Sequence, residues 1–282
     1  MRYFTLEIDA QQLRVGVKAG SGGQTPLLLF NGIGANLELL EPFTLSPEMA
    51  DTEIITFDIP GTGGSPNPSK PYRFPGMAKM ASRLLDQLSY GQVDVLGLSW
   101  GGALAQQYAK DHPDRCRRLV LAATSTGMIA VPPKLGVLLR MATPRRYLQT
   151  SYMQRIAPSI YGGRFRRDQK SITEHRKKVI APSMMGYACQ LFAGYGWTSL
   201  PWLRRIRQPT LIMSGDDDPL IPLANAKILH RLIRNSRLEI MPCGHLFMLT
   251  MAAQTAELVR EFCAEQNHGV LRPSRAASGQ TG

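Results

Sequence analysis

Residues 93–105 read Val93-Asp94-Val95-Leu96-Gly97-Leu98-Ser99-Trp100-Gly101-Gly102-Ala103-Leu104-Ala105. The apolar run Val93–Leu98 has the length of a buried strand, and the small and apolar residues after Ser99 suit a helix. Between the two stands Gly97-Leu98-Ser99-Trp100-Gly101, a serine with a glycine two positions to either side. A turn this sharp strains the serine backbone, and a Cβ at 97 or 101 would collide with the neighbouring strand or helix. The expected result lifts Ser99 Oγ out of the sheet edge and points the next helix N-terminus at it. That end favours negative charge, which an attacked ester carbonyl develops.

A five-residue pattern is short, so its context decides. Downstream, Pro209-Thr210-Leu211-Ile212-Met213-Ser214-Gly215 reads as a buried strand and is followed by Asp216-Asp217-Asp218-Pro219-Leu220-Ile221-Pro222. Leu238-Glu239-Ile240-Met241 reads as another strand, followed by Pro242-Cys243-Gly244-His245. Serine, then acid, then histidine, the last two each just past a strand, is the chain order of the α/β-hydrolase triad. Ser99 is the expected nucleophile and His245 the base, because a serine hydroxyl attacks only when its proton is taken. Asp218 is the expected orienting acid, three residues after the glycine that closes its strand and stiffened by Pro219. Asp216 and Asp217 are assigned to capping or to loop amides. Two backbone N–H groups must meet the developing oxyanion. They are expected from Trp100 and from Ile33, in the loop Asn31-Gly32-Ile33-Gly34-Ala35-Asn36 that follows strand Leu27–Phe30. The second glycine loop, Asp58-Ile59-Pro60-Gly61-Thr62-Gly63-Gly64-Ser65, has the wrong spacing for a dinucleotide and is read as structural.

The rest of the chain frames this constellation. Tyr3–Asp9 and Gln12–Lys18 suggest a hairpin turning near Asp9-Ala10-Gln11. Pro26–Phe30, Glu53–Asp58 and Arg118–Ala123 read as parallel strands, and Phe74–Tyr90 and 252–266 as helices. The alternation predicts an α/β fold, a mostly parallel sheet with helices on both faces. The core is assigned to 1–125 and 209–267, and the tail from 268 to 282 is read as a loose end. Residues 126–208 break the rhythm with several prolines and helical patches, at the place where this fold carries a helical cap over its site. No apolar run reaches membrane-spanning length, and the first residues lack the apolar stretch of a signal peptide. The four cysteines, Cys116, Cys189, Cys243 and Cys263, follow neither metal-ligand nor disulfide spacing, which suits reduced thiols in a cytoplasm.

The net charge of +12 hints at nucleic acid, but its distribution argues otherwise. Residues 126–208 hold fifteen Lys and Arg against two acids, and the remainder holds eighteen basic and nineteen acidic residues. No nucleic-acid motif accompanies the excess, so no such partner is expected. Met128, Met141, Met153, Met184, Met185, Phe192, Trp197 and Trp202 add adaptable apolar surface to the same segment. With Arg145-Arg146, Arg164-Phe165-Arg166-Arg167 and Arg176-Lys177-Lys178, they suit docking on an apolar particle with an anionic coat.

The residues also match something narrower than the fold. Leu29–Leu39, Pro71-Tyr72-Arg73-Phe74-Pro75-Gly76, Ser99–Gln107, Gln190–Ser199, Gly215–Pro222 and Gly244-His245-Leu246-Phe247 resemble the intracellular medium-chain-length poly(3-hydroxyalkanoate) depolymerases. The resemblance spans nearly the whole chain, cap included. It implies a cytoplasmic serine hydrolase bound to storage granules that cleaves their polyester to 3-hydroxyalkanoic acids or short oligomers. Its triad falls on Ser99, Asp218 and His245, and no metal or organic cofactor is required. Asn31, Trp100, Trp197 and Phe247, all within these stretches, are the candidate substrate-binding residues. The polyester granule surface is the expected partner, with granule coat proteins as further candidates. Two alternatives are weighed. A small-molecule carboxylesterase or lipase-like hydrolase shares every catalytic residue, so only the substrate separates it. A non-catalytic granule-associated binding protein would tolerate loss of the triad, all of whose residue types are present here. A synthase of this fold would place cysteine at the elbow, and a dehalogenase aspartate.

Overall fold

The computed structural model describes residues 1–142, 149–168, 172–173 and 177–265. Its strands are β1 (Arg2–Ile8), β2 (Gln11–Lys18), β3 (Leu27–Phe30), β4 (Ile54–Phe57), β5 (Val93–Leu98), β6 (Cys116–Ala122), β7 (Thr210–Gly215) and β8 (Ser236–Met241). The longer helices are α1 (Phe74–Gln87), α2 (Trp100–Asp111), α3 (Leu135–Ala142), α4 (Thr150–Tyr161), α5 (Met184–Gly194), α6 (Leu223–Leu232) and α7 (Ala252–Ala264). The strands form one eight-stranded sheet in the order β1-β2-β4-β3-β5-β6-β7-β8. β2 runs antiparallel to both its neighbours, and all other pairings are parallel.

The strands β3, β4 and β5 are buried at every position, and β3 is apolar throughout. In β3, Leu28 and Phe30 belong to one core cluster, with Met77, Leu84, Leu104 and Leu229 from the helices. Leu27 and Leu29 belong to the other, with Phe43, Phe247, Val259 and Phe262. That division follows from the two-residue repeat of a strand. The hairpin turn is tighter than its three-residue expectation. Asp9 and Ala10 both adopt positive φ, 52° and 63°, the combination a two-residue β-hairpin needs.

Several boundaries differ from expectation by a few residues, and those of α1, β6 and β8 have local reasons. α1 stops at Gln87 rather than Tyr90 because Ser89 enters the left-handed region at φ 62°. Tyr90 then turns aside to donate its hydroxyl to Glu53 Oε1 at 2.5 Å. β6 starts at Cys116, which pairs with Val93, and stops at Ala122 because Ala123 has φ 46°. β8 starts at Ser236, paired with Thr210. α7 stops at Ala264 rather than 266, since Glu265 leaves the helix with ψ 131°, and the expected tail lies outside the described residues.

Between β6 and β7 the described chain is helical, apart from one bridge between Gly127 and Thr198 at its base. Val137, Met153, Ile156, Ile160 and Phe165 give this insertion its own small core, which Leu246 joins from beside His245. Of the fourteen large apolar side chains exposed among the described residues, twelve lie between 128 and 195, in the insertion.

The strand-to-helix junction at Ser99 depends on missing side chains. A Cβ on Gly97 would stand 2.2 Å from the Gly101 carbonyl oxygen, and one on Gly101 would stand 2.2 Å from that of Phe30. Neither neighbour can yield, since both are backbone. Gly101→Ala is therefore expected to lower the stability of the chain by about 2–3 kcal/mol, measured by urea unfolding. The same change at Gly76, where a Cβ meets nothing within 4 Å, should not lower it.

Candidate active site

Ser99 sits at the end of β5 with φ 55° and ψ −115°, a conformation that costs a non-glycine residue about 1–3 kcal/mol. It is held there by its own backbone. Ser99 N–H donates to the Ala122 carbonyl at 2.8 Å. Its carbonyl accepts from Gly102 N–H at 2.9 Å and from Thr124 Oγ1 at 2.7 Å.

The loops after β7 and β8 bring the other two groups to it. His245 Nε2 lies 3.1 Å from Ser99 Oγ, and His245 Nδ1 lies 2.7 Å from Asp218 Oδ2. An ionised carboxylate only accepts, so the Nδ1 proton faces Asp218 and Nε2 is left to accept the serine proton. The other Asp218 oxygen, Oδ1, accepts the N–H groups of Leu220 and Ile221, each at 2.8 Å. Asp218 and His245 are both buried, which keeps water from competing for these bonds.

The neighbouring acid has a different occupation. Asp217 Oδ2 accepts Gly163 N–H at 2.8 Å, and the carboxylate takes Arg166 through Nε at 2.6 Å and Nη2 at 2.9 Å. It thus ties the insertion to the acid loop. The His245 loop is tied to the same segment, since His245 N–H donates to the Tyr161 carbonyl at 2.7 Å. Gly163 has φ 52°, and a Cβ there would stand 2.1 Å from the Gly244 nitrogen, so the insertion and the histidine loop touch backbone to backbone. Arg166 is therefore engaged within the protein, contrary to its expected place in a free basic surface. Lys178 is engaged too, with Glu41 at 3.2 Å, while Arg164, Arg167 and Lys177 are exposed. Arg145, Arg146 and Arg176 lie outside the described residues.

A cavity of about 50 Å³ opens beside Ser99. Asn31, Gly32 and Ile33 line it on one side and His245 on another, with Leu39, Met141, Tyr161, Leu220 and Leu246 as its apolar wall. Asn31 shapes its own loop, accepting Gly32 N–H and donating to the Asn36 carbonyl, both at 2.8 Å. The glycine loop below acts as a brace. Asp58 accepts Leu37 N–H and Gly64 N–H, each at 2.8 Å, and burial pushes its carboxyl upward. Trp100 opens α2, so its N–H has no intrahelical acceptor and points toward the turn that carries Ser99.

Of the four candidate substrate-binding residues only Asn31 lines this cavity. Phe247 is fully buried in the core beneath α7. Trp197 packs on Phe74 at 4.9 Å and donates its indole N–H to Gln107 at 2.7 Å. Trp100's ring faces away as well, against Phe74 at 4.8 Å. Aromatic side chains near a catalytic motif bury large area, and here the core takes them. Tyr161, missed in the sequence, lies parallel to the His245 ring with centroids 6.4 Å apart. No periodicity in the insertion marks it.

The α/β hydrolase fold family model matches residues 25–252. The chain is 54% identical, over 98% of its length and 97% of the relative's, to a poly(3-hydroxyalkanoate) depolymerase of Ectopseudomonas oleovorans. It is 27% identical to 3-oxoadipate enol-lactonase 2 of Acinetobacter baylyi, over 86% of this chain and 91% of that one. Among solved structures it is similar to a hydrolase from Pseudomonas aeruginosa PA01, with TM-score 0.79 and 24% identity over 94% of this chain and 99% of that one.

The division of labour between the aspartates can be tested. Asp218→Asn should lower kcat for a soluble ester by about 10⁴-fold, because the amide presents the wrong hydrogen-bond partner to His245. Asp217→Asn should instead act on stability. The Arg166 guanidinium holds the Asp217 carboxyl below its ordinary range. Its contribution is therefore complete above the unfolded-state value near about 4 and is lost as pH falls through the lower folded value. Both side chains are nearly half exposed, so the effect should stay under about 1 kcal/mol. Urea unfolding from pH 7 to 3 should show the difference from Asp217→Asn shrinking as the pH falls.

Proposed function

The chain belongs to the α/β-hydrolase family, and to the poly(3-hydroxyalkanoate) depolymerases within it, and we propose that it is a serine hydrolase that cleaves the ester bonds of intracellular medium-chain-length poly(3-hydroxyalkanoate). The observation that carries this reading is the 54% identity over 98% of the chain, a span that includes the insertion. The arrangement of Ser99, His245 and Asp218 supports the chemistry.

Ser99 Oγ attacks the ester carbonyl while His245 Nε2 takes its proton. Asp218 keeps the imidazole oriented and stabilises the imidazolium. The tetrahedral oxyanion rests on the amides of Trp100 and Ile33. His245 then gives its proton to the leaving hydroxyl of the next monomer. Water, losing a proton to His245, attacks the acyl-enzyme and releases a 3-hydroxyalkanoic acid or a short oligomer, and Ser99 recovers its proton. The cavity of about 50 Å³ beside Ser99 offers the space for the acyl group, and Met141 and Tyr161, which the insertion supplies, form part of its wall.

The exposed apolar side chains of the insertion, with Arg164, Arg167 and Lys177, form the surface that docks on the granule, and the protein works at that surface in the cytoplasm. Acid release from suspended medium-chain polyhydroxyalkanoate granules tests the reading. The native chain should release acid, and Ser99→Ala should lose about 10⁶-fold in kcat. No release, with p-nitrophenyl octanoate still cleaved in a Ser99-dependent way, would move the function to small esters. The double variant Arg164→Gln, Arg167→Gln should adsorb more weakly to the granules and cleave p-nitrophenyl octanoate as before. Unchanged adsorption would remove these two arginines from the docking surface.

A further inference from the structure

The stretch Gln190–Ser199 carries part of the family resemblance, yet it holds no nucleophile, base, acid or oxyanion amide. Its first residue makes two contacts that reach the site from outside. Gln190 is fully buried on α5. Its Oε1 accepts Gly34 N–H at 2.8 Å, and its backbone carbonyl accepts Trp100 Nε1–H at 2.9 Å. Gly34 follows Ile33 in the chain, and Trp100 follows Ser99. One residue of the insertion thus bonds the neighbour of one oxyanion amide and the residue that carries the other.

The orientation of the Gln190 amide is fixed by this contact, because a flip would set its NH₂ against the Gly34 N–H. α5 itself is anchored to the core on either side of Gln190. Ser183 N–H donates to the Gly61 carbonyl at 3.0 Å. Arg73 donates to the Phe192 carbonyl at 2.8 Å and lies over the Phe192 ring at 3.8 Å. Trp197, just beyond α5, donates to Gln107 on α2. Gln190 therefore works from a rigid base. At the other end of its bond, Gly34 has φ 69° and no side chain with which to pack the loop.

We infer that Gln190 is a positioning residue for the oxyanion hole: it holds the Asn31–Asn36 loop against the Ser99 turn so that the Ile33 and Trp100 amides converge on one point. This rests on the assignment of those two amides under the proposed function. Oxyanion donors act only when within about 2.7–3.1 Å of the developing charge. Without an acceptor, the buried Gly34 N–H would cost about 1–3 kcal/mol and the loop would shift to find another. The reaction would lose transition-state stabilisation while substrate binding stayed nearly intact.

Gln190→Met keeps the length of the side chain and removes the oxygen, and Gln190→Glu keeps an acceptor. With p-nitrophenyl octanoate, Gln190→Met should lower kcat by about 10–100-fold, less than outright loss of a donor, with KM within about twofold. An alkylboronic acid, which bonds Ser99 Oγ and sets an oxygen in the oxyanion position, should bind more weakly by the same factor. Gln190→Glu should restore most of both. Unchanged kcat would overturn the inference. So would a loss that the boronic acid does not register, or one that falls on KM alone. If Gln190→Met does not fold, Gln190→Asn, whose amide falls one methylene short, gives the same readings. Failure of the proposed serine-hydrolase function looks different: Ser99→Ala would then retain the native esterase activity, whatever stands at 190.

Discussion

The site depends on one close approach, that of Gly101 to the end of β3. With no Cβ at 101, the start of α2 lies against the carbonyls of Phe30 and Asn31. That contact sets the sharp turn after β5 and raises Ser99 from the sheet edge. It also brings the loop from Asn31 to Asn36 alongside the same serine. A side chain at 101 would part the strand that carries the nucleophile from the loop that faces it. The position of Ser99 and that of the loop facing it are consequences of one packing contact rather than two.

Around this contact, loops from the ends of β7 and β8 close in, and the insertion joins them. Three adjacent aspartates occupy one loop, and geometry gives two of them separate tasks. Asp218 is buried and directed at His245, while Asp217, one residue earlier, faces outward to Gly163 and Arg166. Asp216 and Asp217 lie in the turn that follows β7 and Asp218 just past it, so the adjacent side chains meet different surroundings. The insertion is braced at this end by Asp217 and at the other by Gln190, and the cavity lies between the two braces.

Much of this was legible in the sequence. The strand runs, the hairpin, the glycine spacing around Ser99 and the positions of Asp218 and His245 follow from periodicity and from turn chemistry. Sheet order was legible only as mostly parallel, because the pairing of β2 with β4 depends on long-range contacts that no local pattern encodes. The aromatic residues mark the boundary of what could be read. Phe247, two residues past His245, and Trp197, in the insertion, were both assigned to substrate, yet both pack into the core. Tyr161, Met141 and Gln190 reach the site from helices whose spacing in sequence says nothing about their approach. A residue type signals burial or chemistry; it does not signal which way the side chain faces once distant segments meet.

The insertion leaves the sheet after β6 and returns before β7, on the side where the strands end and Ser99 stands. Its exposed apolar side chains are therefore tied to the catalytic edge rather than scattered over the molecule. Adsorption through such a surface would also be orientation. An enzyme landing on a polymer by this side has its nucleophile turned toward the ester before any search begins, and the remaining search is over a plane instead of a volume. Turnover would then scale with the area of polymer offered, not with its mass, and finely divided particles would be consumed first.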